Sequence, residues 1–196
     1  MNPFDLSNKV ICVTGASSGI GRQCAVSCSR MGATVVLLAR NEQRLHETLS
    51  IMDNPDKHVI IPVDLTEYAT VELVVKNIVS QVGRISGVLH CAGISTTLPL
   101  KLVTPEKLAE FFQANVFSAY NLTREVCKMG NFSKEGGSIV FFSSVMGKVG
   151  ENGKSLYGMT KGALVSGTRS LACELAKKKI RVNTVSPGVV ITPINY

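Results

Sequence analysis

Tyr157 and Lys161 stand four residues apart in Tyr157-Gly158-Met159-Thr160-Lys161, a spacing that puts a phenol and an ammonium on one face of a helix. A tyrosine with an ordinary pKa near 10 exchanges protons poorly at neutral pH unless a nearby cation favours its phenolate. Lys161 can supply that cation, and such a pair suits a reaction that leaves an oxyanion in need of a proton, as when hydride adds to a carbonyl. Alone, the spacing is what many surface helices carry. Ser143 and Ser144 give it weight, because they follow directly on the apolar run Ser138–Phe142 and Ser144 precedes Tyr157 by thirteen residues. One of the two hydroxyls can project from a strand end and hold an oxygen as charge develops on it.

Near the amino terminus, Thr14-Gly15-Ala16-Ser17-Ser18-Gly19-Ile20-Gly21 follows another apolar run. Glycines in a first strand-to-helix turn allow a tight backbone path and let main-chain N–H groups approach a pyrophosphate at the helix N-terminus. A loop that only turns tightly needs glycine too, and the spacing departs from the widespread G-x-G-x-x-G. The second run ends in Ala39-Arg40. An arginine there can pair with the 2′-phosphate of NADP, where an acidic residue would accept from the ribose of NAD; Arg40 also suits a solvated helix start.

These residues need a scaffold, and the chain alternates short runs rich in Val, Ile and Leu with longer stretches of helical period. Strands are predicted at Lys9–Val13, Thr34–Ala39, His58–Val63, Ser86–His90, Ser138–Phe142 and Arg181–Val185, and helices near 20–31, 41–52, 67–82, 105–128 and 155–178. Strands that are nearly all apolar are covered on both faces, so the expected architecture is α/β, a three-layer Rossmann-like doubly wound parallel sheet with helices on both faces. Thr104-Pro105-Glu106 offers an N-cap with proline at the first helical position, and Gly32 and Gly83 fall just past two helices. A length of 196 residues with 45% apolar content can bury a substantial core, and no linker or repeat marks a second domain, so one domain over 1–196 is expected.

The net charge of +7 would suit a polyanionic partner. Its densest run, Lys177-Lys178-Lys179 with Arg181, reads as a solvated helix end complementing the dipole, and no stripe of basic residues with interleaved aromatics points to nucleic acid. The six cysteines, at 12, 24, 28, 91, 127 and 173, form no CxxC pair; they read as small hydrophobes in a reducing compartment, with Cys24 and Cys28 on one core face and no metal site. No basic leader and no run of 18 apolar residues occurs, and the expected location is cytoplasmic, away from membranes.

The Thr-Gly-x-x-x-Gly-Ile-Gly turn, the strand-end Ser144 and the Tyr-x-x-x-Lys pair occur in the order of the short-chain dehydrogenase/reductase family, and the chain resembles its shorter single-domain members, 3-oxoacyl-[acyl-carrier-protein] reductases among them. The resemblance implies a catalytic set of Asn115, Ser144, Tyr157 and Lys161, Asn115 positioning a water in a proton path through Lys161. It implies a dinucleotide held by Gly15, Ser17, Ser18, Gly19, Ile20, Gly21, Arg40, Tyr157 and Lys161, with its adenine at Asp64 and Leu65, and backbone approach at Ala92 and Gly93. Pro187, Gly188, Val190 and Thr192 would wrap the nicotinamide end. NADP(H) is the preferred cofactor, with NAD(H) as the alternative. The implied activity is hydride transfer between the nicotinamide and a carbonyl or secondary alcohol, with an acyl-carrier-bound 3-oxoacyl thioester as the leading substrate. The alternative is a catalytically silent nucleotide-binding regulatory or scaffold protein of the same fold. His90-Cys91 departs from the family's Asn-Asn, and His90 reads as structural. Family members usually continue past the Pro-Gly segment through a substrate loop and a last strand, so a sequence ending at Tyr196 reads either as truncated or partly ordered or as naturally abbreviated, and a homodimer or homotetramer is the expected assembly at full length.

Overall fold

A computed structural model describes residues 3–192. Tyr196, the expected end of the domain, lies outside them. Six parallel strands, β1 (Val10–Thr14), β2 (Thr34–Ala39), β3 (Val59–Pro62), β4 (Gly87–His90), β5 (Gly137–Phe142) and β6 (Ile180–Val185), form one sheet in the order β3-β2-β1-β4-β5-β6. Strand order reverses between β1 and β4, and the carboxyl ends of two such neighbours splay apart into a crevice. Thr14 is paired with both Leu38 and His90, so Gly15 and Cys91 open on that crevice from opposite walls.

Alternate strand residues feed two cores. Ile11, Val13, Val35 and Leu37 pack under α1 (Gly19–Arg30) and α2 (Glu42–Leu49). Cys12, Val36, Leu38, Val88, Ile139 and Val182 pack under α3 (Tyr68–Val82), α5 (Ser118–Val126) and α6 (Ser155–Leu175). Val35 to Leu38 are fully enclosed, and burying each such side chain is worth about 1.5–3 kcal/mol. That is why β2 shows no polar alternation: it has no solvent face.

The predicted long helix over 105–128 divides. α4 (Pro105–Phe112) starts as expected, with Thr104 accepting from the Lys107 amide at 3.2 Å and Pro105 in the first turn. At Gln113–Phe117 the backbone widens into a π turn before α5 resumes the α-helical path. Hydrophobic period does not reveal one extra residue in a helix, whereas π turns cluster where a side chain must be re-aimed; the residue at the centre of this one is Asn115. α6 also ends earlier than predicted, at Leu175, followed by a 3₁₀ turn through Lys178. Lys178 there donates to the Cys127 carbonyl at 3.2 Å, in keeping with a solvated helix end. Among the described residues no helix is long and apolar enough to cross a membrane.

Candidate active site

A cleft of about 550 Å³ opens at the β1–β4 crevice. Gly15, Ser17, Ser18, Gly19, Ile20, Gly21, Arg40, Asp64, Leu65, Ala92, Gly93 and Thr192 all line it. The glycine turn is there for close approach. Gly15 has φ +65, and a Cβ on it would lie 2.9 Å from Ala92; a Cβ on Gly21 would lie 2.2 Å from the Gly15 carbonyl oxygen. The N-terminus of α1 has no side-chain cap and no acidic residue in its first turn, so its orphan N–H groups are left for an anion. Such a cradle fits a dinucleotide pyrophosphate.

Arg40 projects from the end of β2 with its side chain 76% exposed and 3.8 Å from Asp64. Asn41, not Arg40, caps α2, accepting from the Arg44 amide at 2.9 Å. Asp64 combines both of its predicted placements: Oδ1 accepts from the Thr66 amide and hydroxyl at 2.9 and 2.7 Å, while the residue faces the cleft. These bonds and the Arg40 charge outweigh desolvation and hold its carboxyl below the usual range.

Ser144, Tyr157 and Lys161 do not line that cleft, but Lys161 reaches its wall at Gly93. Ser144 Oγ accepts from the Met146 amide at 3.2 Å and bears electrostatically on the Tyr157 phenol, and Lys161 Nζ lies 5.6 Å from the Tyr157 ring centre. A Cβ on Gly93 would lie 3.4 Å from Lys161 Nζ, so the ammonium borders the cleft. The neighbouring Ser143 is spent on structure, donating to the Lys161 carbonyl at 2.7 Å, which ties the end of β5 to α6. Lys161 Nζ donates to the Phe142 carbonyl at 2.9 Å.

Burial pushes the Tyr157 phenol up, the Ser144 hydroxyl only partly opposing it. Lys161 Nζ stands over the Tyr157 ring, and burial lowers its own pKa to about 8. Desolvation acts on both partners of the pair and disfavours each charged form.

Asn115 is 1% exposed and fully used. Its Oδ1 accepts from the Ile94 amide at 2.7 Å, and its Nδ2 donates to the Ile94 carbonyl and to Thr160 Oγ1, both at 3.0 Å. Thr160 Oγ1 in turn donates to the Tyr157 carbonyl at 2.8 Å. The π turn, the loop after β4 and the Tyr-x-x-x-Lys turn of α6 are thereby one unit. His90 is structural, as expected: its ring stacks on Phe141 at 4.6 Å and its Nε2 meets Thr123 Oγ1 at 2.8 Å. Pro187 receives the Val145 amide at 3.0 Å, which sets the Pro187–Thr192 segment beside the Ser144 turn. Of that segment Thr192 reaches the cleft, while Pro187, Gly188 and Val190 do not line it.

Three positioning residues escaped the sequence reading. Thr14 Oγ1 accepts from the Ala92 amide at 3.0 Å, and Arg22 holds the Ser17 carbonyl at 2.7 Å and Glu47 at 3.0 Å. A threonine closing an otherwise apolar buried strand was the available signal for the first. Thr160 is the other, and its only mark was its place inside the Tyr-x-x-x-Lys turn.

The short chain dehydrogenase family profile matches residues 9–196. An uncharacterized oxidoreductase of Staphylococcus epidermidis is 32% identical over 189 residues, covering 96% of this chain and 81% of that protein. The human 3-oxoacyl-[acyl-carrier-protein] reductase is 32% identical over 185 residues, 94% of this chain and 77% of that protein. A short chain dehydrogenase from Shigella flexneri complexed with NADP superposes with a TM-score of 0.88 at 32% identity, over 96% of this chain and 80% of that one. The chain belongs to the short chain dehydrogenase family and is an oxidoreductase of that type. A 3-ketoacyl-(acyl-carrier-protein) reductase from Brucella melitensis complexed with NADH superposes with a TM-score of 0.89 at 29% identity, over 97% of this chain and 79% of that one.

Proposed function

We propose that this protein is an NADP(H)-preferring reductase or dehydrogenase acting on a ketone and secondary-alcohol pair. The observation that carries the reading is that the Ser144 hydroxyl and the Lys161 ammonium both bear on Tyr157, and that Lys161 stands beside Gly93, which lines the glycine-rich cleft. A bound nicotinamide would supply or accept the hydride; every other task falls to side chains. Ser144 donates to the substrate oxygen and holds it as negative charge grows. Tyr157 delivers its proton to that oxygen, and a phenol kept protonated by burial is competent for the reductive direction. Lys161 supplies positive charge beside the phenol as the proton leaves. Asn115 and Thr160 hold the backbone of the Tyr-Lys turn.

The α1 N-terminus and the glycine turn take the pyrophosphate, Arg40 the 2′-phosphate, Asp64 and Leu65 the adenine, and Ala92 and Gly93 the backbone approach. Val190 and Thr192 serve the nicotinamide end, with Pro187 and Gly188 shaping that segment. The preference for NADP(H) over NAD(H) rests on Arg40 standing exposed over the cleft where an acidic residue would repel a phosphate. The likeness to 3-oxoacyl reductases makes an acyl-carrier-bound 3-oxoacyl thioester the first substrate to try. Nicotinamide absorbance followed with a panel of carbonyl substrates, thioesters included, tests the reading. Cofactor binding with no turnover on any of them would favour the silent scaffold instead.

A further inference from the structure

Two carbonyls of the glycine turn are held from behind. The Ala16 carbonyl accepts from Thr48 Oγ1 at 2.9 Å, and the Ser17 carbonyl accepts from a guanidinium nitrogen of Arg22 at 2.7 Å. Thr48 is fully enclosed on α2, and its single hydroxyl proton is shared with the Arg44 carbonyl at 3.0 Å. The same Arg22 nitrogen stands 3.0 Å from a Glu47 carboxylate oxygen and 3.4 Å from that Arg44 carbonyl. One turn of α2, from Arg44 to Thr48, is therefore bonded to two successive peptide units of the glycine turn, to the first directly and to the second through Arg22. Neither Thr48 nor Arg22 lines the cleft, whereas Ser17 and Ser18 do.

In a planar trans peptide the C=O of one residue and the N–H of the next point in opposite directions. Drawing the Ala16 carbonyl back toward Thr48 turns the Ser17 amide away from Thr48, and drawing the Ser17 carbonyl toward Arg22 does the same for the Ser18 amide. Neither amide has a hydrogen-bond partner among the described residues. We propose that Thr48 and Arg22 are positioning residues that aim the Ser17 and Ser18 amides into the cleft at the pyrophosphate, a role that rests on the dinucleotide reading above. Successive backbone N–H groups turned to one side make an anion-binding concavity, and their bonds to a charged oxygen are stronger than those between neutral groups. With either brace removed the peptide unit can turn over, and a turned unit presents its carbonyl oxygen to the phosphate in place of its amide.

Calorimetric titration with adenosine and with ADP tests this. Adenosine carries only the nucleoside end and ADP adds the diphosphate, so the ratio of their Kd values reads the turn itself. Thr48→Val removes the hydroxyl at nearly constant volume and changes no charge. The advantage of ADP over adenosine should shrink by about ten-fold or more, the worth of one hydrogen bond to a charged group, and Thr48→Ser should restore it. Arg22→Met, which keeps much of the stem, should shrink the advantage likewise, and it decides the matter if the buried Thr48→Val does not fold. Adenosine and ADP weakened to the same degree, with their ratio kept, would mark a purely structural role and overturn the proposal while the dinucleotide reading stands. Wild-type protein that binds ADP no better than adenosine would overturn both.

Discussion

Asn115 Nδ2 donates to Thr160 Oγ1 at 3.0 Å, and this one bond ties the π turn between α4 and α5 to the helix turn that presents Tyr157 and Lys161. The same amide clamps Ile94 on both its backbone groups. Asn115→Ala strands the half-buried Ile94 amide and carbonyl, and an orphaned group costs about 1–3 kcal/mol when water cannot reach it, less where the cleft lets water in. Urea unfolding should show a loss of about 1–2 kcal/mol together with a fall in kcat. Unchanged stability would mean that the clamp is dispensable.

Tyr157→Phe removes the proposed proton donor and leaves the packing of its ring. Turnover should fall by about 10²–10⁴-fold, the span of general acid catalysis. NADPH affinity, read by fluorescence titration, should stay within a few-fold. A variant with wild-type turnover would remove Tyr157 from its role.

Arg40→Asp replaces the exposed cation over the cleft by a carboxylate that can accept from a ribose. A charged hydrogen bond is worth about 1.5–3 kcal/mol, so the ratio of kcat/KM for NADPH to that for NADH should drop by about ten- to a hundred-fold. An unaltered ratio would show that the 2′-phosphate is held elsewhere.

Lys161 is pushed down to about 8 by burial. Its ammonium is therefore present below that pH and is lost as pH rises through it. In the reductive direction kcat/KM, which reports the free enzyme, should decline above about pH 8. A flat profile up to the range where an ordinary lysine titrates would contradict the placement of the cation.

His90 is driven down to about 3 by full burial. A histidine depressed in the folded state binds its proton first in the unfolded chain, so the stability it contributes is present above the unfolded value of about 6.5 and is lost as pH falls toward 3. Between about pH 7.5 and pH 5 this costs about 2 kcal/mol. His58, also depressed by desolvation, acts in the same direction. His90→Gln should flatten this part of the acid limb in urea titrations, and an equally steep limb in the variant would refute the assignment to His90.

Six strands, the helix starts at Pro105 and Gly19, and the glycine turn were legible because each rests on local chemistry. Apolar runs without alternation mean a sheet covered on both faces, and glycine between strand and helix means close backbone approach. The family resemblance added residue roles that spacing alone leaves open. What needed the folded chain was every relation between distant segments. Which of two adjacent serines faces Tyr157 depends on a 2.7 Å bond from Ser143 to the Lys161 carbonyl, and no local pattern encodes it. The π turn hides inside an unbroken helical period. The desolvation that pushes the Tyr157 phenol up is likewise a property of the packed interior and not of the Tyr-x-x-x-Lys spacing. Side-chain types and their local order determined what chemistry this protein can attempt; packing decided which groups lose water, and that sets their protonation.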